Sequence, residues 1–147
     1  MEVRFDAATQ SIRHARRWVR ENPLCAGVDP ECVRVAELLT SELVTNAVKY
    51  GPPDGTITLR ADRSDGTLGV TVTDDSHKAP VVRHPLPDQA GGRGMKMVQA
   101  LSCDWGVDLH EGNGKSVWFR LPLGPSHPRT ADHTDLWPAH GRRAARA

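Results

Sequence analysis

The chain has 147 residues, 38% of them hydrophobic and 25% charged, which suits one globular domain with a real core and argues against two. A formal net charge of +1 provides no global field to draw the protein to nucleic acid or to an anionic membrane, so either partner would need a local patch. There is no apolar run of the roughly 18 residues that span a bilayer and no charged-then-apolar leader, so a cytoplasmic location is expected.

Glu2 to Phe5 alternates weakly and reads as a short edge strand. A helix fits Ala8 to Arg20, with Ala8, Ile12, Ala15 and Val19 on one face and Asn22-Pro23 as its stop. Arg13, Arg16, Arg17 and Arg20 form a basic stripe beside that face, read as a solvated flank in preference to a docking surface for an acidic partner. Asp29-Pro30 starts a second helix and Gly51-Pro52-Pro53 ends it, so it runs from Pro30 to Tyr50.

This long helix carries the first chemical signal. At roughly 100° per residue, Val35, Leu39, Leu43 and Tyr50 form an apolar arc, and Glu42 and Asn46 fall inside it. Polar groups buried without partners cost several kcal/mol, on the order of the transfer free energy of an amide into an apolar medium, so they need something polar to meet. A hydrated cation with its ligand is one candidate: an Asn oxygen suits magnesium, and a nearby Glu can take a proton from a hydroxyl or hold a metal-bound water. The alternative is a pair of rim side chains hydrogen-bonded to a neighbouring loop.

Thr56 to Ala61 and Thr67 to Thr73 alternate at period two around Asp65-Gly66, a hairpin. Asp74 is in phase with Leu68, Val70 and Val72, which aims a second acid inward. Asp75 to Gly92 has no periodicity and holds three prolines, and a loop this long in a small domain is more often functional than decorative. Gly91-Gly92-Arg93-Gly94 then leads into a helix over Met95 to Leu101, and free N–H groups at a helix N-terminus favour anions such as phosphate. Trp105, Val107 and Leu109, then Val117, Phe119 and Leu121, give two more strands across Gly112-Asn113-Gly114. From Gly124 onward the composition turns to Pro, His, Arg and Ala, and residues 124–147 read as a disordered tail. Cys25, Cys32 and Cys103 have no Cys-x-x-Cys spacing and read as reduced packing thiols; the scattered histidines lack metal-ligand spacing.

Two phosphate motifs fail. A P-loop ending at Gly114-Lys115-Ser116 would need its first glycine at Leu109 and a following helix, and a dinucleotide fingerprint begun at Gly92-Arg93-Gly94 would need a glycine at Met97.

Four segments in order, Glu42-Leu43-Val44-Thr45-Asn46-Ala47, Val72-Thr73-Asp74-Asp75-Ser76, Gly92-Arg93-Gly94-Met95-Lys96-Met97-Val98 and Gly114-Lys115-Ser116-Val117-Trp118-Phe119, resemble the GHKL ATPase superfamily. Within it the chain looks most like the small anti-sigma regulatory factors with serine/threonine protein kinase activity, over about residues 3 to 123. The resemblance implies an α+β fold, a two-layer sandwich with a mixed, mainly antiparallel sheet covered on one face by helices, with residues 1–123 as the ATP-binding domain. It implies ATP and magnesium as cofactors, with Asn46 on the metal and Glu42 as base or as the group orienting the attacking hydroxyl. Asp74 would accept from the adenine amine, Gly92, Arg93 and Gly94 would wrap the phosphates under a lid, and Met95 and Lys115 complete the nucleotide-binding positions. The implied partners are a sigma factor and an anti-sigma factor antagonist, and the implied assembly is a homodimer, with no direct nucleic-acid or membrane contact. After Asp74 the superfamily's Asp-x-Gly-x-Gly pattern is replaced by Asp74-Asp75-Ser76-His77-Lys78-Ala79-Pro80. A nucleotide-binding partner-switch module without transfer activity is therefore the alternative, and the catalytic half of a histidine kinase is a third reading, set aside for want of a dimerisation helix.

Overall fold

The computed structural model describes residues 1–76, 93–112, 114–124 and 142–144. In chain order the elements are β1 (Glu2–Asp6), α1 (Gln10–Arg20), a 3-10 turn (Pro23–Cys25), α2 (Pro30–Tyr50), β2 (Thr56–Ser64), β3 (Thr67–Asp74), α3 (Arg93–Leu101), β4 (Asp104–Leu109), β5 (Lys115–Pro122) and β6 (Arg142–Ala144). The strands form one sheet in the order β1-β2-β3-β5-β4-β6. Every pairing is antiparallel except that of β4 with β6.

Helix α2 organises the packing. Asp29 caps it, its carboxylate accepting the Glu31 N–H at 2.7 Å, Pro30 occupies its first turn, and the Gly51 N–H closes it on the Ala47 carbonyl at 2.9 Å. Its buried side chains Ala36, Leu39, Leu43, Val44 and Ala47 meet Ile57 and Leu59 of β2, Leu68, Val70 and Val72 of β3, and Phe119 and Leu121 of β5 in one core. Helix α2 packs against both α1 and α3. The Arg20 guanidinium donates to the largely buried Glu37 carboxylate at 3.0 Å, tying α1 to α2.

The hairpin between β2 and β3 turns at Asp65 (φ 50°) and Gly66 (φ 69°), the two positive angles of a type I′ turn. That turn fixes the register, so alternate residues of β3 point into the core as the sequence pattern requires. The other face of the sheet carries Thr58, Arg60, Thr71, Thr73, Trp118 and Arg120, which line two shallow concavities away from α2.

Several expectations shift at the element ends. Tyr50 is half exposed, because it is the last residue of α2 and lies beyond Ala47, the last buried one, with the Lys49 ammonium 5.3 Å from its ring centre. Leu109 is exposed for the same reason at the end of β4. Strand β2 runs on to Ser64 because pairing with β3, not its polar side chains, carries it to the turn. Of the stretch read as a tail, Arg142–Ala144 pairs in parallel with β4, and residues 125–141 and 145–147 lie outside the described residues. None of the three cysteines is in a disulfide, all are half-buried, and burial pushes the Cys25 and Cys32 thiols up from their usual range.

Candidate functional site

Two clusters on the helix-covered side of the sheet hold the residues singled out from the sequence. In the first, α3 begins against α2. A Cβ built on Gly94 would stand 2.7 Å from Glu42 Oε2 and 3.3 Å from Glu42 Cβ, so a larger residue at the first turn of α3 would push this carboxylate aside. Gly94 is buried and Val98, one turn on, has no exposed surface, which seats α3 firmly. Glu42 and Asn46 are both half-buried and one helical turn apart on α2. Nearby hydroxyls do not compete for them: Ser41 Oγ donates to the Leu38 carbonyl at 2.8 Å and Thr45 Oγ1 to the Ser41 carbonyl at 2.6 Å.

The second cluster closes the end of β3. Asp74 is 3% exposed and lies opposite Lys115 of β5 in the strand register. Its Oδ1 accepts the Ser76 N–H at 2.7 Å, and its Oδ2 lies 3.6 Å from the Lys115 ammonium, itself on a residue only 7% exposed. Gly114 makes this pairing possible: at φ 96° its backbone runs so close to β3 that a Cβ would come within 1.9 Å of the Asp74 carbonyl oxygen. The neighbouring acid does something else. Asp75 is exposed, and its carboxylate accepts the Thr56 N–H at 2.7 Å, which leaves Asp74 as the inward one of the two. On the opposite face Ser116 Oγ lies 2.6 Å from Thr73 Oγ1 and 2.7 Å from His110 Nε2, binding β3, β5 and the residue after β4 together.

Glu42 and Gly94 are thus in contact, as are Asp74 and Lys115, and Asn46 shares the face of α2 that carries Glu42. Arg93 opens α3, and Met95 is half-buried against the core. Gly92 and residues 77–91, where the lid is expected, lie outside the described residues. What the sequence reading missed is the ion pair. Its signal was available: Lys115 is in phase with Val117, Phe119 and Leu121, just as Asp74 is with Val72. Each cluster suits one part of a nucleotide with its metal, a carboxylate and an amide oxygen beside the start of a helix in the first and an inward Asp in the second.

Sheet order, helical cover and these clusters together define an α+β sandwich of the GHKL ATPase type. Residues 5–121 match the family described as Histidine kinase-like ATPase domain, and the chain belongs to that family. The chain is 26% identical over 128 residues to the heme sensor protein HssS of Staphylococcus haemolyticus (strain JCSC1435), a match covering 76% of this chain and 27% of that protein. It is similar to the solved histidine kinase domain of the blue-light activated histidine kinase of Erythrobacter litoralis EL346, at 31% identity and a TM-score of 0.50, covering 63% of this chain and 45% of that one. A second structure of that kinase matches at 31% identity and a TM-score of 0.51, over 65% of this chain and 32% of the other. The chain therefore spans less than half the length of each of these relatives. Family membership implies ATP as the bound nucleotide. Among the described residues no helix is long and apolar enough to cross a membrane.

Proposed function

We propose that this chain is an ATP-binding regulator of the anti-sigma type, a serine/threonine protein kinase that phosphorylates an anti-sigma factor antagonist and sequesters a sigma factor, working as a homodimer in the cytoplasm. The observation that carries the reading is the contact of Glu42 with the Gly94 backbone, a proton-accepting carboxylate at the helix N-terminus best suited to phosphate. ATP with magnesium supplies the transferable phosphoryl group and the neutralising charge. Asn46 holds the metal through its side-chain oxygen, Glu42 takes or orients the proton of the attacking hydroxyl, and Asp74 accepts from the amine of the base. Gly92, Arg93 and Gly94 bind the phosphates through backbone N–H groups, and Met95 and Lys115 border the nucleotide. In phosphoryl transfer most of the work is positioning and charge stabilisation, so these few groups suffice.

A second reading, a nucleotide-binding module whose output is partner exchange without transfer, is favoured by the absence of glycine between Asp74 and Pro80. The relatives' names carry a third, the ATP-binding part of a histidine kinase. One experiment separates the three. Radiolabelled ATP is incubated with the protein and with proteins that co-purify with it, and the labelled product is treated with acid. Label that survives acid on a co-purifying protein is the expected result, because a serine phosphate ester survives where a phosphohistidine hydrolyses. Acid-labile label selects the histidine kinase reading, and nucleotide binding without label selects the module.

Two substitutions test the assigned roles. Asn46→Ala is expected to weaken magnesium-dependent ATP binding by about tenfold, as loss of one charge-assisted contact does; unchanged affinity in titration calorimetry would contradict the metal role. Glu42→Gln is expected to leave ATP affinity nearly intact and to slow transfer by roughly 10²-fold or more, the range for a general base, and full transfer by this variant rules that role out.

A further inference from the structure

The face of the sheet turned away from α2 carries polar side chains whose order the strand register fixes. One row across it reads Arg4, Thr58, Thr73, Ser116, and the next reads Glu2, Arg60, Thr71, Trp118. A concavity of 660 Å³ opens over the β1–β2–β3 part of these rows, inside the range of about 300–1,000 Å³ usual for small-molecule sites. On its far wall Ser116 Oγ bonds to Thr73 Oγ1 and His110 Nε2, so those groups satisfy one another. Asp62 on the rim is matched by the Arg120 guanidinium at 2.9 Å.

Arg4 and Arg60 are not matched in this way. They share the single Glu2 carboxylate, at 3.9 and 3.4 Å, and each meets it through Nε. Two guanidiniums against one carboxylate leave a positive excess, and the terminal N–H groups of both forks remain available as donors. Their side chains are 73% and 70% exposed, so turning toward a ligand costs no packing. Thr58 pairs with Arg4 across the strands and Thr71 with Arg60, and neither threonine hydroxyl has a hydrogen-bond partner among the described residues.

We propose that this concavity binds a phosphate monoester with a hydroxylated body, Arg4 and Arg60 holding the phosphate through their terminal N–H groups while the Thr58 and Thr71 hydroxyls meet the body. A monoester carries about −1.5 to −2 charges at neutral pH, which answers two guanidiniums lying against one carboxylate better than a single carboxylate ligand does. The site faces away from Glu42, Asn46 and Asp74, and the inference does not depend on the ATP-binding reading.

The test is a titration of the full chain with glucose 6-phosphate, inorganic phosphate and glucose, followed by two-dimensional amide NMR. Glucose 6-phosphate is expected to give saturable shifts at Thr58, Arg60 and Thr71. Inorganic phosphate should shift the same amides with about tenfold weaker affinity, and glucose should shift none. The double variant Arg4→Gln/Arg60→Gln is expected to bind glucose 6-phosphate at least about tenfold more weakly, and Glu2→Gln, which frees both guanidiniums, about threefold more tightly. No saturable shift at these amides with either anion, or equal binding by the double variant, overturns the site. Equal affinity for the two anions overturns the part given to Thr58 and Thr71. The wild-type titration decides the first point even if a variant does not fold.

Discussion

Gly114→Ala is expected to lower stability by about 3 kcal/mol or more, seen as a fall in the urea midpoint. Two effects add. The residue adopts φ 96°, a region that costs an L side chain, and the new methyl group would stand 1.9 Å from the Asp74 carbonyl oxygen and 3.1 Å from Asp75 Cα. Both neighbours are backbone, so no side-chain rotation relieves the overlap. Either β5 separates from the end of β3 or the turn rebuilds, and in both cases the Asp74–Lys115 spacing changes. Gly112 is the control: it too has positive φ, 81°, but a Cβ there meets nothing within 4 Å. Gly112→Ala should therefore cost only the conformational part, about 1 kcal/mol. If the two substitutions prove equally costly, close approach of the strands at Gly114 is not what demands a glycine.

The contrast also shows what a sequence can and cannot disclose. The α2 helix was legible from end to end because its signals are local, with Asp29-Pro30 at one end and Gly51-Pro52 at the other. The same is true of the Asp65-Gly66 turn, and of the inward phase of Asp74, which period-two alternation fixes before any partner is known. Side chains at element ends were less legible, since Tyr50 and Leu109 follow the apolar pattern but lie past the last residue the core covers. Contacts between distant segments were not legible as contacts. That Glu42 meets Gly94, and Asp74 meets Lys115, depends on which strands and helices become neighbours. Pattern reading could say that each of these residues looks inward, but not which one it finds there. The crossover that puts β5 between β3 and β4 decides the second pair, and no local signal in the chain specifies that order.

The largest single effect is expected at Asp74. Asp74→Ala leaves the Lys115 ammonium enclosed without its counter-charge, and breaking a buried pair from one side costs about 3–5 kcal/mol. Lys115→Met is expected to be milder than the mirror-image loss, because Asp74 keeps the Ser76 N–H on its other oxygen. The double variant Asp74→Ala/Lys115→Met should recover most of the loss, since two apolar side chains then face each other and no charge is stranded. A urea-denaturation cycle over the four proteins measures this coupling, and Asp74→Ala costing under about 1 kcal/mol would mean that water reaches the ammonium freely. The double variant also separates two roles of the pair. If its fold returns and ATP affinity does not, the pair acts on the nucleotide directly; if both return together, its contribution was to hold the ends of β3 and β5 in place.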